Sequence, residues 1–357
     1  MSQKLIPQRS ADKTERILLS GHFYRKSRFF AVFLICTALL VAGFASTGVW
    51  MSRGGGEDLK GLGSFTQGEE TTNAPPQKKP EDETTSKAQQ TEKPSPTPIP
   101  EGAIPVIDAD LSCESLGEGY FHNATAYRPD VQVLLQKEVS SVLTDTPLVL
   151  ILHTHASESY LREEQNFLAG DLGEASYSQD PTKNMLAVGK ALCETLNQKG
   201  ITAIHCTVMH DAPTLSGSYA RALESIRFYL THYPSIRYVI DLHRDSILNA
   251  DGEYIRTEAS LEGERLAQVM PVVGSDGGGE ANDRWEGNLA LALQLRAALN
   301  ESVPSLCRPV DLRMETYNQE LAPFSLLLEI GSGGNSLEEA LRAIRIVGEC
   351  LAELITP

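Results

Sequence analysis

LVLILHTHASES, residues 148–159, is the stretch whose reading decides the fold. From Leu148 to Leu152 it is an unbroken apolar run with no polar alternation. Such a run is the mark of a strand covered on both faces, as in a parallel sheet flanked by helices. The run ends in His153, Thr154, His155, Ser157 and Glu158, so imidazoles and a carboxylate stand at its carboxyl end. In open α/β sheets, ligands bind beyond that end of the strands. Two further apolar runs repeat the arrangement. IRYVIDL (236–242) leads into His243, Arg244 and Asp245, and FSLLLEI (324–330) carries Glu329 and leads into Gly331.

Helical patterns separate these strands. One helix is predicted to open with Asp180 as N-cap and Pro181 at its first position, to align Met185, Val188, Leu192 and Leu196 on one face, and to stop at Gly200. Residues 201–208 read as a strand, 219–231 as a helix, Asp251-Gly252 as a turn and 266–273 as a strand. Residues 285–300 form an amphipathic pattern with Leu289, Leu293 and Ala297 in register. The last helix starts at a capping box, Ser336 with Glu339 three residues on, and runs to about Leu354. Strands alternating with helices predict an α/β fold over residues 106–357, with a mainly parallel sheet flanked by helices.

The first hundred residues have a different composition. Residues 29–51, FFAVFLICTALLVAGFASTGVWM, contain no charge; at roughly 1.5 Å per residue they span about 34 Å, against a hydrocarbon core of about 30 Å. Basic residues dominate the preceding tail, residues 1–28. The positive-inside rule therefore predicts a single-pass cell-membrane protein with a cytoplasmic N-terminus and the remainder outside. Residues 52–105, rich in Gly, Pro, Thr, Glu and Lys, read as a disordered linker with a reach of roughly 40 Å. The formal net charge of −16 argues against nucleic acid as a partner. The six cysteines follow no regular spacing and read as small apolar residues rather than a disulfide framework.

Strand ends that deliver His and Glu to one edge suggest a catalytic zinc site. Such a site takes three protein ligands, commonly two His and a Glu, and leaves one position for water. On this reading His155 and His243, with Glu158, are the ligands and Glu329 is the general base. His153 is the alternative first ligand, because on a strand 153 and 155 face the same way. Asp180 is the alternative to Glu158. Arg244 and Asp245 would pair with each other or orient an imidazole. No G-x-S-x-G, phosphate loop or Cys–His pairing competes with this reading.

HTHASESY (153–160), GSYARALESI (217–226), IDLHRDS (240–246), WEGNLALAL (285–293), YNQEL (317–321) and LLLEIGSGGNSLEEA (327–341) together resemble the stage II sporulation protein P family. The domain is also similar to zinc-dependent N-acetylmuramoyl-L-alanine amidases, an α/β fold with a His-Glu-His site. The resemblance implies His243 as the second His ligand and Glu329, with Asn335 after it, as the catalytic Glu. The first His falls at His153 or His155. The middle ligand departs from the pattern, since the Glu-Lys pair that opens the first helix in the amidases is replaced here by Asp180-Pro-Thr-Lys183. The resemblance further implies a peptidoglycan hydrolase of sporulation engulfment that cuts the amide joining stem peptide to muramic acid, and the peptide cross-links. It implies stage II sporulation proteins D and M as partners. Two other readings remain on the same residues: a zinc peptidase or deacetylase, and a non-catalytic wall-binding scaffold.

Overall fold

The computed structural model describes residues 99–357 apart from 118, 163–164 and 169–175. The basic tail and the apolar span at 29–51 lie outside the described residues, as does the linker up to 98. The first strand, β1 (Ile104–Ala109), begins inside the stretch read as linker.

Strands β2 (Phe121–Asn123), β3 (Val149–Leu152), β5 (Ala203–His205), β6 (Tyr238–Asp245), β9 (Val269–Gly274), β10 (Val310–Arg313) and β11 (Phe324–Ser332) form one sheet in the order β2-β10-β9-β11-β6-β3-β5. Five of its neighbour pairs are parallel; β9 and β11 run antiparallel. The sheet is therefore mixed, although parallel pairing prevails as predicted. A second sheet joins β4 (Phe167–Leu168), β1, β7 (Tyr254–Leu261) and β8 (Glu264–Ala267) in that order, with one parallel and two antiparallel pairs. The single strand expected at 266–273 is split at Gln268, where the chain passes from the second sheet to the first. The Gln268 amide secures this crossing: it donates to Asp110 and to the Ser305 carbonyl at 2.7 Å and accepts from the Leu111 N–H at 2.9 Å.

The helices are α1 (Val131–Leu135), α2 (Met185–Gln198), α3 (Ser218–His232), α4 (Trp285–Ser302) and α5 (Leu337–Ile355). Helix α2 starts four residues later than expected. Asn184, not Asp180, caps it, accepting from the Leu186 N–H at 3.0 Å. Asp180 folds onto Thr182 and Lys183 at the surface instead, with an ion pair of 3.2 Å to Lys183. The capping box of α5 forms as predicted: Ser336 accepts from the Glu339 N–H and Glu339 from the Ser336 N–H. No described helix is long and apolar enough to cross a membrane. The five described cysteines are free, and Cys206, Cys307 and Cys350 are buried.

Strand alternation sorts the large sheet into two faces. Val149, Ile151, Tyr238, Ile240, Leu242, Leu326 and Leu328 join the main core with α2, α4 and α5. Leu150, Leu152 and Val239 pack against Ala222 and Ile226 of α3 on the opposite face. Asp241 and His243 continue the line of Val239, so period two carries two charged side chains onto the α3 face of an otherwise apolar strand.

Candidate functional site

The site lies where β3, β6 and β11 end on the α3 side. His243 and Glu329 are direct partners in the parallel β6–β11 register, and Asp241 faces Leu327 two residues earlier. After β3 stops at Leu152 the chain turns through 154–157, and this turn places His155 beside the other two. The His155 and His243 rings stand edge to face with centroids 5.2 Å apart. Glu158 closes the same turn, its N–H bonding the His155 carbonyl at 3.3 Å. Its Oε2 accepts from the Arg244 N–H at 3.0 Å and lies 3.8 Å from His243 Nδ1. On the far side of the ring, His243 Nε2 is 3.1 Å from Asp241 Oδ1. Asp241 is held in turn by the Thr154 N–H at 2.8 Å and the Thr154 hydroxyl at 2.6 Å.

His153 does not join this group. The expectation that 153 and 155 share a face fails because the strand ends before either residue and the turn separates them. His153 keeps the parity of Val149 and Ile151 and faces α2, where its Nε2 lies 2.8 Å from Nε2 of His205 beneath Gly189. Arg244 and Asp245 do not pair through their side chains. The Arg244 guanidinium donates to the Ser159, Ser176 and Asp245 carbonyls, tying down the loop that carries Glu158. Asp245 accepts from Arg308 at 3.0 Å. Asn335 is fully buried between β7 and α5, bonded to Thr257, Ser332 and Glu339, so it shapes the turn after β11. Asp180 lies at the surface with Lys183.

Burial and crowded charge make the site electrostatically unusual. Burial pushes the Glu329 carboxyl up to about 8; Asp245 and Glu158 add to the rise, and His243 opposes it. Burial also raises Glu158. His243 goes the other way. Burial works against its charge, yet Asp241, Glu158 and Glu329 together outweigh that and lift its pKa to about 10. His155 stays neutral, lowered to about 4 by burial and by the charge on His243. Glu329 Oε2 and His243 Nε2 are buried without a hydrogen bond.

Among the described residues, no group of three or more His, Cys, Asp or Glu is gathered tightly enough to hold a metal ion as it stands. The chemistry of the donors nevertheless fits a divalent cation. One imidazole is already neutral, a second is backed by a carboxylate, and three carboxylates surround one imidazolium. The negative charge now met by the proton on His243 is charge that a cation would meet.

Three residues here had no role assigned from sequence. Asp241 was signalled by its parity with His243 in an apolar strand. Tyr219 opens a predicted helix and Tyr317 lies in a segment quoted only for its resemblance; neither was given a role. The Tyr219 ring is 5.7 Å from His155, and Tyr317 is 5.9 Å from Tyr219. A separate cavity of about 480 Å³ borders Ser159, Arg162, Gln165 and Lys183 and includes none of the four central residues.

A family model described as Stage II sporulation protein P matches residues 61–352. Stage II sporulation protein P of Bacillus subtilis (strain 168) is 29% identical over 221 residues, 59% of this chain and 51% of that protein. The chain thus matches about half the length of this curated relative. Among solved structures, amidase AmiC2 of Nostoc punctiforme covers 58% of this chain and 94% of its own, at 16% identity and a TM-score of 0.31. Amidase Ami1 of Mycobacterium smegmatis covers 61% and 96%, at 13% identity and a TM-score of 0.35. The CwlD amidase of Clostridioides difficile, in complex with the GerS lipoprotein, covers 57% and 94%, at 12% identity and 0.34.

Proposed function

The chain belongs to the stage II sporulation protein P family, and from that premise we propose that it is a zinc-dependent peptidoglycan hydrolase of sporulation that cleaves the N-acetylmuramoyl-L-alanine amide. The observation that carries this reading is the convergence of His155, Glu158, His243 and Glu329 at one sheet edge, with Glu329 and His243 in direct register. His155, Glu158 and His243 would hold the metal. When bound, zinc supplies Lewis acidity, polarising a carbonyl and acidifying water.

The chain's own residues do the rest. Asp241 sets its charge 3.1 Å from Nε2 of the His243 ring, and Thr154 fixes Asp241. Arg244 holds the Glu158 loop through the Ser159 and Ser176 carbonyls. Glu329, in direct register with His243, takes a proton from the attacking water and returns it to the departing amine. Membrane attachment through residues 29–51, and work beside stage II sporulation proteins D and M, complete the proposal. The first is supported by that uncharged apolar run, and the second by family membership alone.

The full-length chain, purified and loaded with zinc, is expected to release stem peptides from peptidoglycan, as read by mass analysis. A chelator should stop the release and added zinc restore it. Glu329→Gln should lower the rate about 10²–10⁴-fold. Cut cross-links or free acetate as the sole products would replace the amidase reading with a peptidase or a deacetylase, and Glu329→Gln at the wild-type rate would remove Glu329 as the base.

A further inference from the structure

Tyr317 and Asn318 both sit in the left-handed backbone region, at φ 54° and 59°, although neither is glycine. Two such residues in succession persist only where the surroundings impose them, and residues of this kind cluster at functional sites. Two buried amides and one half-buried amide impose this turn. The Gln319 side chain accepts from the Gly274 N–H at 2.8 Å and donates to the Val272 carbonyl at 2.9 Å, fixing the turn to the end of β9. Asn288 of α4 donates to the Gln319 carbonyl at 3.1 Å, and Asn318 donates to the Tyr219 carbonyl at 3.0 Å. The outcome of this bracing is the position of one ring. Tyr317 packs on Met270, Val272 and Leu327. Met270 is the register partner of Glu329 and Val272 that of Leu327, so Tyr317 lies on the sheet face that carries Glu329.

Hydrolysis of an amide needs a donor aimed at the carbonyl oxygen, where negative charge develops. The cationic side chains around the site are already engaged: Arg244 with backbone carbonyls and Arg308 with Asp245. The Tyr219 and Tyr317 hydroxyls have no hydrogen-bond partner among the described residues, and both side chains are only half-buried. Burial raises both phenols well above their ordinary value, so they stay protonated at neutral pH.

Resting on the hydrolase reading above, we infer that Tyr317 is a catalytic residue whose hydroxyl donates to the carbonyl oxygen of the scissile amide, with Tyr219 forming the adjoining wall. Water oxygen bonds to the carbonyl carbon, the C–N bond breaks, and the amine leaves with the proton carried by Glu329. Tyr317 keeps its own proton throughout and only donates a hydrogen bond. This accounts for the bracing of YNQEL and for the buried Asn288 of the 285–293 segment, which the zinc donors leave without a role.

The test is steady-state cleavage of peptidoglycan by the zinc-loaded full-length chain and its Tyr317→Phe variant, which keeps the ring and its packing. The expected result is a fall in kcat of about 10²–10³-fold with KM within about threefold and an unchanged thermal midpoint. A variant with wild-type kcat, or one that loses only KM, overturns the inference while leaving the hydrolase reading intact. A wild-type chain that cleaves nothing overturns that reading, and this inference with it.

Discussion

Asp241 shows how much of this site is decided by single residues. It lies beneath His243 in strand parity, and its two oxygens are taken by Thr154 and approached by the imidazole. Replacing it by Asn keeps the shape and removes the charge that most strongly favours the His243 proton. Asp241→Asn should therefore weaken zinc binding about 10–100-fold, as measured by competition with a chromogenic chelator. An unchanged affinity would reduce Asp241 to a fold residue. Of the site, His155, His243, Glu158 and Glu329 were legible in the sequence because each stands at the end of a recognisable apolar strand. Asp241 was legible in principle, by period two, but a carboxylate inside a strand has no partner until the neighbouring turn is known. Tyr317 was not legible, since its position follows from a backbone conformation that no spacing rule signals. The fate of His153 turned on one boundary: had β3 continued three residues further, both imidazoles would have pointed toward α2.

At the scale of elements, helix α2 illustrates a close approach that only glycine permits. A Cβ on Gly189 would run into Nε2 of both the buried His153 and the half-buried His205. Gly189→Ala should cost about 1–3 kcal/mol, seen as a lower urea midpoint. A midpoint equal to or above the wild type would mean that helix propensity outweighs the clash. The long elements matched expectation because their signals are strong: continuous apolar runs for β3, β6 and β11, a wide apolar face for α4, and a capping box for α5. The start of α2 was misplaced because Asp180-Pro181 imitates a helix opening, whereas Asn184 supplies the cap that the buried first turn uses. The second sheet went unread. Its strands pair across long sequence separations, β1 with β7 above all, and the crossing at Gln268 interrupts what looks like one strand.

For the whole molecule, the pairing of His153 with His205 makes the seating of α2 on the sheet sensitive to acid. Burial lowers His205 to about 4, and burial with the neighbouring His205 lowers His153 to about 3, whereas an unfolded histidine titrates near 6.5. Between about 6.5 and 4 the unfolded chain therefore binds protons that the folded chain refuses. Stability rises with pH wherever the unfolded state binds more protons. The contribution of the pair is thus complete above about 6.5 and is lost as pH falls toward 4. His155, also lowered to about 4, acts in the same direction, so the wild-type slope alone does not isolate the pair. His243 acts in the opposite window: its raised pKa gives stability that is full below about 6.5 and is lost as pH rises toward 10. Comparison with His205→Gln separates these effects, because glutamine can still bond His153 but takes up no proton. In urea melts of the chelator-treated full-length chain, the wild type should lose on the order of 2 kcal/mol more than His205→Gln between pH 7 and pH 4.5. Parallel curves for the two proteins over that range would show that the acid sensitivity arises elsewhere, in the strand-end histidines rather than beneath α2.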